Sequence, residues 1–371
     1  MFIVHLGKEF VTQHAEGKEV STKVLRLPEI HRLRGVAILM IVGAHCYQFF
    51  NWTNHPFAEA IFKDVFDNSS LIFLFVAGFL FQFVEEHRFS FSNFFSRKTK
   101  NIFVPYVIAL VPAIVYVLLR GSQIFTELPL RDFSPSAKIL YMLVYPGVSV
   151  NYALWFIPVI AIFYLAAPLL RAVDQRQWYW LIVALLPLSF LMHRPTYSQG
   201  HNLSLALYFL PAYMLGMFCS RYRELVFARL DRHLLSLTIV FAVVFIGHLL
   251  LSDHHGKSQT HEPFETQGGD GLIDWIYLQK LLMTAVLLGF FRSFRNQSAK
   301  TWDFLASASF TIFFYHLYAL YVVKWVTQFT KPEFRLDYLL LLFALAIGVP
   351  CLIALGARKL FPLWSRQLVG A

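Results

Sequence analysis

Two ionisable side chains stand out in the apolar segment RLRGVAILMIVGAHCYQFF: Arg34 and, eleven residues on, His45. Eleven residues at 100° each turn a helix about 20° past three full turns, so both side chains share one face, about 16 Å apart along the axis. That spacing sets a fixed cation at one membrane interface and an imidazole near the membrane middle. An imidazole, with an unperturbed pKa near ~6.5, takes a proton from a hydroxyl at neutral pH or attacks an activated carbonyl carbon itself. Both are the needs of acyl transfer. Ionisable groups inside an apolar bundle are costly, which makes these two the first candidates. The plainer readings are that Arg34 is an interfacial anchor and His45 a buried, hydrogen-bonded core residue.

A second such histidine, His316, falls about halfway along SASFTIFFYHLYAL. Helix counting gives it a depth similar to that of His45, so the two are expected either to line one polar cavity or to differ in role, with His316 bonded to a neighbour such as Tyr315. Lys280, about two turns from the end of its apolar run, reads as a third site residue or as a side chain snorkelling to the interface. Arg97, Lys98 and Lys100 precede a helix start in SRKTKNIFVPY. Clustered cations there suit the phosphates of a nucleotide, an anionic lipid or a topology signal. Asp64 and Asp67, just outside the second apolar segment, are placed to bond an acceptor's hydroxyls or to assist His45, or are ordinary loop acids. Asp253, His254, His255, His261 and Glu262 lack a rigid spacing and read as a solvated loop, so no metal is expected. Cys46 points about 100° away from His45 on a helix and is read as packing.

To hold these groups the chain offers little besides apolar helices. Of its 371 residues, 57% are hydrophobic and 15% charged, against roughly 25% charged in a soluble domain. Segments approaching the ~20 apolar residues needed to cross a bilayer lie near 35–51, 68–84, 102–119, 152–170, 178–192, 203–219, 233–251, 274–291, 304–327 and 337–356. The expected fold class is therefore all-α, a polytopic transmembrane bundle of about ten helices. With the N-terminus on the cytoplasmic side, 22 of the 32 Lys and Arg residues fall on that side, which fits an even helix count and two cytoplasmic termini. The expected division is a cytoplasmic tail over 1–28, a transmembrane domain over 29–357 and a cytoplasmic tail over 358–371. Longer outer loops are expected over 120–151, whose stretch KILYMLVYPGVSV reads as re-entrant or interfacial, and over 252–273.

The net charge of +10 does not point to nucleic acid, because the basic residues are scattered between apolar runs; they suit lipid headgroups. Cys46, Cys219 and Cys351 lie far apart with no CxxC spacing, so neither a disulfide framework nor a thiolate metal site is indicated. The opening MFIVHLGKEF has too short an apolar stretch for a cleaved signal peptide.

Taken in order, several segments resemble the integral-membrane acyltransferase 3 family, which includes bacterial O-acetyltransferases of surface glycans. The first is LRGVAILMIVGAHC, a basic residue, ten others and a histidine. It is followed by IFLFVAGFLF (72–81), RKTKNIFVPY (97–106), LWFIPVIAIFYLAAPLL (154–170), FLPAYMLGMF (209–218) and SFTIFFYH (309–316). The resemblance implies His45 as the catalytic residue, Arg34, Arg97 and Lys100 as contacts for cytoplasmic acyl-CoA, and His316 as a secondary site residue beside the candidates Tyr315 and Lys280. It also implies transfer of an acetyl-type group to a hydroxyl of a surface polysaccharide, lipopolysaccharide or lipid-linked glycan at a bacterial inner membrane, with glycan-assembly proteins as partners, no bound cofactor and no appended esterase-like domain. Two departures are Ala77, where the family usually has Ser, and Lys100, where a second Arg is usual. The readings from other classes are a transporter or flippase of lipid-linked glycan, which consumes no acyl-CoA, and a polytopic scaffold, in which both histidines are replaceable.

Overall fold

The computed structural model describes residues 27–86, 89–120, 133–196, 201–257, 259–260, 264, 273–297, 299–327 and 331–371. The first helix, α1 (Pro28–Cys46), opens on a proline whose missing N–H is lost at no cost in a first turn. Next come α2 (Pro56–Phe66) and α3 (Ser70–Glu85), broken by extended Asp67 and left-handed Asn68, φ 58°. Then follow α4 (Phe91–Lys98), a π-helical turn Thr99–Phe103, and α5 (Val104–Arg120). The π turn coincides with Pro105, which has no N–H to return to the carbonyl four residues back. After the short α6 (Pro135–Val144) come α7 (Phe156–Leu165) and α8 (Ala167–Gln175), bent by 54° at Ala166. The rest are α9 (Trp180–Met192), α10 (Asn202–Arg221), α11 (Arg223–Leu251), α12 (Trp275–Ser293), α13 (Lys300–Thr327), α14 (Leu336–Leu360) and α15 (Ser365–Val369).

The chain is thus an all-α bundle, and each of the ten apolar segments read from the sequence meets helix. Among the described residues seven helical stretches are long and apolar enough to cross a membrane, or eight if the bent α7–α8 pair is one span. The shortfall from ten has physical reasons. With 13 residues, α9 is about 20 Å long, short of a ~30 Å hydrocarbon core. In α1, Glu29, Arg32 and Arg34 crowd the first two turns. The stretch 133–151 of the first long loop forms α6 and short 3-10 turns, while 121–132 lie outside the described residues, as do 1–26 of the expected N-terminal tail. Residues 361–371 fold back as α15 against α5 and α13.

Buried charge in α1 is met from neighbouring helix ends. Arg32 donates to the carbonyls of Phe294 and Gln297, both at 2.6 Å. Glu29 lies 3.5 Å from Arg292, which also grips Asp231 of α11 at 2.6 Å. These contacts gather the basic end of the bundle; the other end is called distal below.

The closest helix contact is α3 with α10. A Cβ built on Gly78 would stand 1.9 Å from the Tyr213 carbonyl oxygen, and one on Gly216 2.0 Å from that of Phe75. Small residues admit such backbone approach where lipid supplies no hydrophobic drive. Gly216→Ala is expected to cost at least the ~1–3 kcal/mol of overpacking, seen as a lower melting temperature in detergent; an unchanged midpoint contradicts this packing.

Candidate active site

His45 sits in the last turn of α1, at its distal end and not midway along it, because the helix begins seven residues earlier than the apolar run and stops at Cys46. Its ring is 5.1 Å from that of His316 on α13, tilted by 39°, and 5.2 Å from Tyr152, edge-on. Arg34, three turns back, donates to the carbonyl of Ala306 on the same α13 at 2.5 Å.

His316 is fully buried. Its Nδ1 lies 2.9 Å from the carbonyl of Ile312 and 3.0 Å from that of Phe313. Carbonyls only accept, so Nδ1 carries the proton and Nε2 is the basic nitrogen. That Nε2 is buried without a hydrogen-bond partner, as is Nδ1 of His45. The partner of His316 is thus its own helix backbone and not Tyr315, whose ring neighbours Tyr318.

His45 borders a cavity of about 40 Å3 whose wall includes Gln48, Asp67, Asn68, Ser69, Ser70, Trp155, Arg194 and Lys257. At ~10–15 Å3 per water it has room for a few solvent molecules. Gln48 and Lys257 are shared with a larger vestibule of about 540 Å3 at the distal end, bounded also by Tyr47, Trp52, Tyr152, Tyr321, Lys63, Lys324 and Lys331. The Tyr47 hydroxyl lies 3.0 Å from both oxygens of Asp67, and the Lys257 N–H donates to the same carboxylate at 3.2 Å. Burial holds the Lys257 ammonium below the usual lysine range, opposed by Asp67 and reinforced by Arg194. The Arg194 guanidinium lies 4.8 Å from the Trp155 ring. Asn68, left-handed at no great cost to Asn, donates to Tyr208, whose hydroxyl donates to Asp274 at 2.7 Å. This chain anchors the first turn of α3, so the positive end of that helix faces the cavity.

Other sequence candidates fall elsewhere. Asp64 faces away from the cavity, with His248 and His255 on its carboxylate. Lys280 does not snorkel. Its side chain is fully buried and its ammonium donates to the carbonyls of Asp64 at 2.8 Å and Val65 at 2.5 Å, closing the end of α2. Arg97 is paired with Glu85 at 2.5 Å, and Lys100 is exposed at the π turn. Lys98 lies instead over the rings of Phe94 and Tyr164, at 5.2 and 4.9 Å. Both Lys98 and Arg34 feel the charge of Arg366 on α15. Burial lowers the Arg366 guanidinium to about 10, so it stays charged at neutral pH. The residues that sequence reasoning missed, Arg194, Lys257, Trp155 and Arg366, reach their places through long-range folding. Only Trp155 carried a local signal, in the LWF segment. His261 and Glu262 lie outside the described residues; His255 proves to be half-buried against Asp64, not free in a solvated loop.

A polar cavity enclosed by apolar helices long enough to span a bilayer is the architecture of a multi-pass membrane protein. The model of the acyltransferase 3 family, an acyltransferase domain, matches residues 27–355, and the chain belongs to that family. Comparison with curated proteins and with solved structures gives no match. The protein is therefore a membrane acyltransferase.

If Lys280 closes α2, its loss acts on stability before chemistry. Lys280→Met strands two buried carbonyls, at ~1–3 kcal/mol for an unsatisfied buried group. The expected result is a lower melting temperature with turnover per folded molecule nearly unchanged. Normal stability with abolished turnover would assign Lys280 to the reaction.

Proposed function

We propose that this acyltransferase moves an acetyl-type group from cytoplasmic acyl-CoA to a hydroxyl of a surface polysaccharide, lipopolysaccharide or lipid-linked glycan, at the inner membrane of a bacterium. The observation that carries this reading is the buried His45–His316 pair, with His45 in the wall of a cavity that shares Gln48 and Lys257 with an open vestibule. With Nδ1 of His45 sealed away, Nε2 is the nitrogen available for reaction.

In the proposed reaction the acceptor hydroxyl gives its proton to His45 and its oxygen bonds the thioester carbonyl carbon. The tetrahedral oxyanion forms beside the first turn of α3, where the helix dipole favours negative charge. The carbon–sulfur bond then breaks, and the CoA thiolate takes the proton. His316, held in one tautomer by its own helix, positions the His45 ring. At the basic end Arg34, Lys98 and Arg366 form the cationic group that suits the phosphates of CoA. Arg97 steadies it through Glu85, and Lys100 is at most a peripheral contact. The vestibule suits the acceptor: aromatic faces for sugar rings and Lys257, Lys324 and Lys331 for anionic groups, with Lys63 paired to Glu59 at 2.9 Å in the same wall. Asp67 orients its Lys257 wall.

The test is CoA thiol release by the protein in liposomes, with acetyl-CoA inside and extracted surface glycan outside. Wild type is expected to release CoA in step with glycan acetylation, whereas a flippase releases none. His316→Gln is expected to slow the reaction within the ~10²–10⁴-fold range of acid–base contributions while leaving KM for acetyl-CoA unchanged. Undiminished rates in that variant contradict the role of the pair. Labelled acyl groups retained on the protein without acceptor would make His45 an acyl carrier instead of a base.

A further inference from the structure

Three side chains from separate stretches of the chain converge beside the distal end of α11, off the catalytic cavity. Asp64 is fully buried in α2. Its Oδ2 lies 3.0 Å from Nδ1 of His248, in the last turn of α11, and 3.2 Å from Nδ1 of His255, in the segment beyond. The three atoms lie within 4.8 Å of one another.

Ligands at ~2.0–2.1 Å around a tetrahedral zinc ion stand about 3.3–3.4 Å apart, because a tetrahedron's edge is ~1.6 times its centre-to-corner distance. Two of the three edges here already approach that value. The imidazole rings are nearly perpendicular, at 86° with centroids 5.7 Å apart, so they meet at Oδ2 from different sides instead of stacking. The Gly256 N–H donates to Asp64 Oδ1 at 2.8 Å, which turns Oδ2 toward the imidazoles in the way supporting hydrogen bonds orient metal ligands. The His255 side chain is 21% exposed, which leaves a route in for an ion and a water.

We propose that Asp64 Oδ2, His248 Nδ1 and His255 Nδ1 hold a divalent transition metal of the zinc class, with water as fourth ligand, clamping the 252–257 segment to α2. Two imidazoles and one carboxylate form a borderline donor set that suits zinc. Its role is structural. The apolar window of α11 contains no fully buried residue, and the helix packs mainly on α12, so a clamp at its distal end adds an attachment to α2. The clamp also fixes Lys257, two residues past His255, in the wall of the catalytic cavity and on Asp67. The ion thus acts on catalysis through position alone.

The test uses the full chain purified in detergent without chelator. Wild type is expected to carry about one equivalent of zinc by mass spectrometry, and the stripped protein to develop tetrahedral d–d bands on titration with Co2+. His255→Ala is expected to bind Co2+ at least ~10–100-fold more weakly, the loss typical of even a supporting residue. His255→Cys is expected to restore binding and add a sulfur-to-cobalt charge-transfer band, a signal that a merely misfolded variant does not produce. Wild type with no zinc and no cobalt spectrum overturns the proposal, as does equal binding by wild type and His255→Ala. These readouts are independent of acyl transfer, so the clamp and the proposed reaction stand or fall separately.

Discussion

The packing of α1 against α13 is the contact on which the site depends. Gly35 lets the two backbones approach: a Cβ there would stand 3.3 Å from the Trp302 carbonyl oxygen. Along that seam Arg34 bonds the Ala306 carbonyl and, three turns on, His45 meets His316. Apolar helices alone would leave this register free to slide, since lipid and leucine are equally apolar. The polar contacts pin it. Asn151 donates to the Phe314 carbonyl at 2.9 Å and Tyr318 to that of Ala109 at 2.7 Å, tying α13 to the segment before α7 and to α5.

From that seam the two halves of the chemistry separate along the axis. The basic end gathers Arg34, Lys98 and Arg366 through α1, α4 and α15. The distal end gathers Asp67, Lys257 and Arg194 around the imidazole pair. In the proposed reaction the donor arrives at the basic end and the acceptor at the distal end, and the two meet at the histidines.

Much of this was legible in the sequence wherever a local pattern carried it. The spacing of Arg34 and His45 places both on the face that meets α13. The IFLFVAGFLF and FLPAYMLGMF segments, read separately as motifs, turn out to touch through Gly78 and Gly216. What was not legible has physical reasons. Hydropathy cannot tell where α1 starts, because Glu29, Arg32 and Arg34 are buried by pairing and not by apolarity, so the place of His45 in the last turn of the helix was not legible. A buried lysine such as Lys280 looks the same as a snorkelling one until the carbonyls that receive it are known. Arg194 enters the cavity from a two-residue strand paired with Gln259–Thr260 and Lys257 from a loop, neither with a periodicity to read, and Asp64, His248 and His255 come together only in three dimensions.

The most direct test of the central claim is the O-acetyl content of the surface glycan, measured by NMR in a strain lacking this protein and complemented with wild type or His45→Ala, each confirmed in the membrane. The account predicts that wild type restores the acetyl signal and His45→Ala does not. Restoration by both would contradict it, leaving the imidazole pair a structural feature of the bundle.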